Sequence, residues 1–243
     1  MERKSEHLYA TIINKKEASL LDGLSSSIIS FQPSSEIHAL LLGASSTQVK
    51  ELNNTTEGVT FYSCKAIVPV YMYLVLMIRL LLSSNRAIKG VYKAYFSLFL
   101  VRRQRKGVIL IDPDLRIKTS IGDVLDQLST HDVVLFPNGF PLHPKETENG
   151  FIKNFKKGFY TSLLVGFSKD ADDLLKWWAK VCFYRCRNDK KRSFYYEQTY
   201  LNFLPVMFEN VKVMPPKYLV ITKDNLEYIK DTEKVVIAKS TSI

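Results

Sequence analysis

Apolar and polar positions along this chain switch between two periods. "HLYATII" (7–13), "IHALLLG" (37–43) and "GVTFYS" (58–63) are short, mostly apolar runs bounded by polar residues, the pattern of strands covered on both faces. Between them, "KEASLLDGLSSSIISF" (16–31) sets Leu20, Leu21, Leu24, Ile28 and Phe31 at helical spacing. "STQVKELNN" (46–54) reads as a short helix capped by Ser46 or Thr47. Two helical segments, 67–84 and 88–103, precede the strand "VILI" (108–111). A short helix over "IGDVLDQL" (121–128) and a strand over "DVVLFP" (132–137) follow, and then "GFYTSLLVGFS" (158–168), a strand entering a helix capped by Ser168. That helix, "KDADDLLKWWAKVCFYRC" (169–186), carries Asp170, Asp172 and Asp173 in its first turn and Arg185 and Arg187 near its end, matching its dipole. Leu174, Leu175, Trp178, Val181 and Cys182 form its apolar face, which places Trp178 in the core with Trp177 flanking it. Alternating β and α elements with apolar strands predict an α/β fold, a mostly parallel sheet flanked by helices.

The stretch "VILIDPDLRI" (108–117) ends a buried strand in two carboxylates. Pro113 pushes Asp112 toward the extended region, and in an extended chain Asp112 and Asp114 point to the same side. Paired carboxylates at the C-terminal edge of a parallel sheet suit a hard cation, Mg2+ or Mn2+. On spacing alone, a solvated Asp-Pro turn is the better explanation, because a three-residue motif is short. No G-x-G-x-x-G and no G-x-x-x-x-G-K-S/T occurs, which excludes the usual dinucleotide and P-loop phosphate cradles. A phosphate bound at this edge needs another neutraliser, and a cation held by Asp112 and Asp114 supplies one.

With 243 residues and no Pro/Gly/Ser-rich seam, the chain reads as a single domain over 1–243, whose first half (1–111) has the β/α order of a nucleotide-binding unit. The formal charge of +10 concentrates in "RRQRK" (102–106), "KNFKK" (153–157) and "CRNDKKR" (186–192), patches that favour polyanions when they are more than solvated surface. Cys64, Cys182 and Cys186 form no closed disulfide framework and fit a reducing compartment, so a cytoplasmic location is expected. The four histidines, His7, His38, His131 and His143, have no ligand spacing and receive no role. The N-terminus lacks a signal-type apolar core. The most apolar stretch, "IVPVYMYLVLMIRLLL" (67–82), is too short to span a bilayer and reads as a buried helix entered at Pro69. With "RRQRK" downstream, peripheral membrane contact stays open.

"EQTYLNFLP" (197–205), taken in order with "VILIDPDL", "GFYTSLLVGF" and "DDLLKWW", resembles the metal-dependent GT-A nucleotide-sugar glycosyltransferases, above all glycosyltransferase family eight and related bacterial polysaccharide-synthesis enzymes. The likeness is firmest from about Lys93 to Tyr218. It implies a GT-A (Rossmann-like) mixed sheet with a nucleotide-binding half (1–111) and a half for metal, sugar and acceptor (112–243), a nucleotide-sugar donor such as a UDP-sugar, Mn2+ or Mg2+, and hexosyl transfer with retention. By resemblance, Asp112 lies near the ribose and the metal, and Asp114 is a direct ligand. Glu197 and Gln198 match an Asp-Gln pair in which the Gln sits under the anomeric carbon. Ala10, Thr11 and Asn14 stand where such enzymes hold base and ribose. Phe159, Tyr160, Thr161 and Ser162 replace a phenylalanine-asparagine-x-glycine strand, so Thr161 and Ser162 take the sugar-contact positions. The late metal-binding His of family eight has no counterpart after His143.

Three functions follow from these residues. The first is a glycosyltransferase acting on a glycan or lipid-linked acceptor. The second is a catalytically silent GT-A-like binding module. The third, resting on the +10 charge and on "PDLRIK" (113–118), is a nucleic-acid-binding protein or metal nuclease. No helix-turn-helix, zinc finger or aromatic-basic RNA motif accompanies that charge, so it ranks last.

Overall fold

A computed structural model describes residues 7–82, 84–215, 218, 220–229 and 237–239. The apolar runs become the centre of one seven-stranded sheet. Its strands are β1 (His7–Ile13), β2 (Glu36–Leu41), β3 (Val59–Ser63), β4 (Gly107–Ile111), β6 (Val133–Pro137), β7 (Tyr160–Phe167) and β10 (Val211–Val213), in the order β10-β6-β7-β4-β1-β2-β3. β7 alone runs antiparallel to its neighbours, β4 and β6; every other pairing in this sheet is parallel. A smaller sheet joins β5 (Leu115–Ile117), β11 (Val220–Ile221) and β12 (Ile237–Lys239), and β8 (Asn188–Asp189) pairs with β9 (Phe194–Tyr195).

Alternation along the strands divides the core in two, because successive side chains leave a strand on opposite faces. Leu8, Ala10, Ile12, Val108 and Leu110 pack on one side beneath α5 (Asn85–Gln104) and α8 (Asp172–Arg185). Tyr9, Ile109, Ile111 and Phe136 pack on the other against α1 (Ala18–Phe31) and α6 (Gly122–Gln127). The expected mixed, mostly parallel sheet between helical layers is the one observed, and Trp178 is fully buried against Phe167.

Several local expectations are corrected. The cap of α2 (Ser46–Thr55) is Ser45, in a reciprocal capping box with Gln48, rather than Ser46 or Thr47. Ser168 does not cap α8; its Oγ accepts from the Asp170 amide in the preceding turn. The helical segments at 67–84 and 88–103 resolve into α3 (Cys64–Ile67), α4 (Val70–Leu82) and α5. Furthermore, α4 is not buried. Val70, Tyr71, Leu74 and Ile78 are exposed, while Leu76 faces the core. Asp112–Asp114 does not continue as a strand either. The Leu115 amide donates to the Asp112 carbonyl at 3.1 Å, closing a turn whose second position is Pro113, a place its fixed φ suits as well as it suits a strand.

Between β6 and β7 the chain makes an excursion containing α7 (Glu148–Lys157), closed at its base. The Asn138 amide donates to the Phe159 carbonyl at 2.8 Å, and the Asn138 side chain donates to the carbonyls of Gly158 and Tyr160.

His38 in β2 is buried, 3.0 Å from the Tyr62 hydroxyl, and burial holds its pKa below the ordinary value despite the Glu36 carboxylate nearby. The unfolded chain therefore takes up a proton before the folded one does. Its contribution to stability is complete above the unfolded pKa and is lost as pH falls through the folded one. Urea unfolding at pH 7.5 and pH 5.5 is expected to show lower stability in acid, with the slope reduced in His38→Gln.

Candidate functional site

Strand direction brings the site together. Because β7 runs against β4, its first residues lie beside the C-terminal end of β4, with Ile111 opposite Leu164 and the Asp112 amide donating to the Leu163 carbonyl at 2.8 Å. Thr161 and Ser162 thereby reach the same sheet edge as Asp112 and Asp114. From the layer above, α5 sends down Lys93, whose residue is only 4% exposed. Its ammonium lies 2.9 Å from Asp112 Oδ1, 3.1 Å from Glu197 Oε1 and 2.8 Å from the Ser162 carbonyl, one oxygen for each of its three protons. Burial alone would lower the Lys93 pKa. The carboxylates of Asp112 and Glu197 outweigh it and hold the pKa well above the ordinary value, so the group stays charged.

The same contacts fix Glu197 and Gln198. Ser162 Oγ donates to Glu197 Oε1 at 2.7 Å, and the Ser162 amide donates to Gln198 Oε1 at 3.2 Å. Gln198 Nε2 donates to the Lys157 carbonyl at 2.7 Å, and Trp178 Nε1 donates to the Glu197 carbonyl at 3.3 Å. Both amide ends of Gln198 are therefore engaged. Glu197 Oε2 is buried and has no hydrogen-bond partner among the described residues. It faces Gly90 of α5, where a Cβ would collide with this oxygen and with the Cys186 sulfur. Gly90 thus makes room for the carboxylate, a use of glycine for close approach.

Two cavities open onto this cluster. The larger, about 420 Å3, is lined by Asn14, Arg86, Lys93, Asp112, Asp114 and Glu197 among others. The smaller, about 260 Å3, is lined by Asn138, Lys157, Thr161, Gln198, Asn225 and neighbouring residues. Arg86 and Leu163 border both. The Arg86 guanidinium lies 4.8 Å from the Tyr195 ring centre and 4.9 Å from that of Tyr196, and despite burial Tyr195, Glu197 and Asp112 raise its pKa.

Of the residues expected from sequence, Asn14, Asp112, Asp114 and Glu197 meet in the larger cavity, and Thr161 and Gln198 in the smaller. Ser162 lies beneath both, bonded to Glu197 and Gln198. Ala10 and Thr11 are buried within β1 and line neither cavity. Asn14 also caps the turn into α1, its Oδ1 accepting from the Lys16 amide at 2.8 Å. Lys93, Arg86 and Gly90 were not anticipated. The one signal for Lys93 was a cation at a position where helical spacing from Phe96 and Leu100 points inward.

Among the described residues, no group of three or more His, Cys, Asp or Glu side chains could hold a metal. Asp112 and Asp114 nonetheless fit a cation of the Mg2+ type, which takes one or two carboxylates and completes its shell with water and phosphate oxygens. Lys93 neutralises only one of the carboxylates of Asp112 and Glu197, and Asp114 adds another acid to the same cleft.

No family model and no curated protein matches the chain. Solved structures do. A galactosyltransferase, LgtC, in complex with donor and acceptor sugar analogues superposes with a TM-score of 0.56 at 13% identity, covering 95% of this chain and 86% of that one. Mouse xyloside xylosyltransferase 1 gives 0.55 at 11% identity over 98% and 99% of the two chains. A glycosyltransferase involved in glycosylation of the major capsid of PBCV-1 gives 0.50 at 14% identity over 96% and 92%. The fold is that of the GT-A glycosyltransferases, as the sequence resemblance implied.

Lys93→Met removes the cation and leaves two acids buried together. Urea unfolding at neutral pH is expected to show a loss of about 3–5 kcal/mol. Ser162→Ala, which removes one donor from the buried Glu197 carboxylate, is expected to cost about 1.5–3 kcal/mol in the same measurement.

Proposed function

We propose that this protein transfers a sugar from a nucleotide-sugar donor, a UDP-sugar, to a hydroxyl of a glycan or lipid-linked acceptor, as in polysaccharide biosynthesis. The observation that carries the reading is the Lys93 ammonium binding Asp112 to Glu197 where two cavities meet at the C-terminal edge of a GT-A sheet. Ligands of open α/β sheets bind at that edge. The glycosyltransferase neighbours support the same class of chemistry.

In this reading the donor occupies the larger cavity, with Asn14 beside the nucleoside and the diphosphate over Asp112 and Asp114. Asp112 and Asp114 would hold Mg2+ or Mn2+, which when bound would supply Lewis-acid neutralisation of the leaving diphosphate. Arg86 adds a fixed cation beside the diphosphate from the wall shared by the cavities. Acceptor and transferred sugar meet toward the smaller cavity, where Thr161 and Gln198 stand. Gln198 holds the wall between its partners Ser162 and Lys157. Glu197 borders the larger cavity with its Oε1 held by Lys93 and Ser162, and we assign retention of configuration to this pair.

A second reading, a silent module that binds nucleotide without turnover, is favoured by the tight pairing of Asp112 with Lys93, which competes with a metal for that carboxylate.

Release of UDP from a panel of UDP-sugars, measured with Mg2+, Mn2+ or chelator, tests both. Metal-dependent release is expected, with Asp114→Asn weakening UDP binding by about tenfold or more. Glu197→Gln is expected to lower kcat by about 10²–10⁴-fold while leaving UDP affinity unchanged. Tight UDP binding without release under any condition supports the silent module. Equal UDP affinity with and without metal, unchanged by Asp114→Asn, refutes the metal-dependent reading.

A further inference from the structure

The helix α4 is apolar on the side it turns to solvent. Tyr71 is 68% exposed, Ile78 60% and Leu74 55%, with Val70, Val75 and Met77 exposed beside them. These positions recur at helical spacing and so form one continuous face. Contiguous exposed apolar surface of this kind marks an interaction site. Its other side faces the protein, where Tyr73 and Leu76 help line the larger cavity.

The stretch of chain that carries this face has charge of one sign. From Gly58 to Ile111 the sequence contains no Asp or Glu and nine Lys and Arg residues: Lys65, Arg79, Arg86, Lys89, Lys93, Arg102, Arg103, Arg105 and Lys106. Some of these are consumed inside the molecule. Lys93 is in the site, Lys89 pairs with Glu17, Lys106 with Glu36 and Arg102 with Asp172. Lys65, Arg103 and Arg105 are exposed. Beside α4 a groove of about 460 Å3 runs between Tyr71, Met72, Tyr95 and Phe99 and ends at Arg102 and Arg103. An apolar trough with the exposed Arg103 guanidinium at its end, Arg102 being held by Asp172, matches the two chemistries of a phospholipid, acyl chain and headgroup phosphate.

No helix among the described residues is long and apolar enough to cross a membrane. A short helix with an exposed apolar face and a basic border instead lies in the plane of the interface, where apolar burial and attraction to anionic lipid act together. We infer that α4, with the Lys65 and Arg103 border, docks this protein on an anionic phospholipid bilayer. The docked helix is the one that walls the larger cavity, so the opening of that cavity lies close to the lipid surface.

The test is flotation of the full chain with vesicles of phosphatidylcholine alone or mixed with phosphatidylglycerol, at low and high salt, alongside sedimentation velocity without lipid. Binding to the mixed vesicles, weakened by salt, is expected. Lys65→Gln with Arg103→Gln is expected to weaken it about 25-fold, near fivefold for each cation lost. Tyr71→Ser with Leu74→Gln and Ile78→Gln is expected to abolish it. These residues lie outside the nucleotide cavity, so unchanged UDP affinity shows that the variants are folded, and single substitutions replace the triple variant if it is not. The readout is vesicle binding and stands whether or not any sugar is transferred. Absence of vesicle binding, or equal binding by the apolar variant, overturns the inference. So does a self-associated protein that ignores vesicles and becomes monomeric in the apolar variant, because the face is then the seat of a second copy.

Discussion

The Lys93 ammonium is buried where chain segments distant in sequence converge, and each of its three contacts ties a different one of them to α5. Asp112 follows β4, Ser162 lies near the start of β7, and Glu197 precedes the short helix α9 (Gln198–Leu201). Taking these charges out of water costs several kcal/mol per ion, and the cost is offset only when geometry is good and the remaining lone pairs are bonded. Ser162 meets that condition by bonding both Glu197 and Gln198. The cluster therefore does more to fix one arrangement of side chains than to add stability. A site organised this way needs little rearrangement to receive charge, which is what electrostatic catalysis requires.

Reversal of a single strand makes that convergence possible. An all-parallel sheet would present only strand ends after β4, β1, β2 and β3 at this edge. Turning β7 around brings a strand's beginning there too, with Thr161 and Ser162 next to the carboxylates. Arg86 then separates a space lined with acids from one lined mainly by amides, hydroxyls and Lys157.

Much of the fold was legible in the sequence because buried strands are uninterrupted apolar runs and long helices repeat their apolar residues. "VILI" could hardly be anything else, and Trp178 was correctly read as core. Asp112 and Asp114 were found by their position after such a run, while their turn geometry was misread because Pro113 suits both conformations. Lys93 escaped notice for a different reason. A lysine in a helix ordinarily reaches solvent, and only the oxygens of Asp112, Ser162 and Glu197, between 19 and 104 residues away, keep this one inside. The exposure of α4 was equally hidden, since hydropathy measures how apolar a helix is and not whether anything covers it.

The excursion between β6 and β7 is tied off by Asn138, whose amide and side chain together bind the carbonyls of Phe159, Gly158 and Tyr160. Since its ends are already joined, the entropy of closing the loop grows only slowly with the number of residues inside it. Insertions or deletions there would leave the register of β7, and with it Ser162, in place. Relatives of this protein could therefore diverge in what they recognise by lengthening or trimming this one region, while the chemistry beneath it is inherited intact.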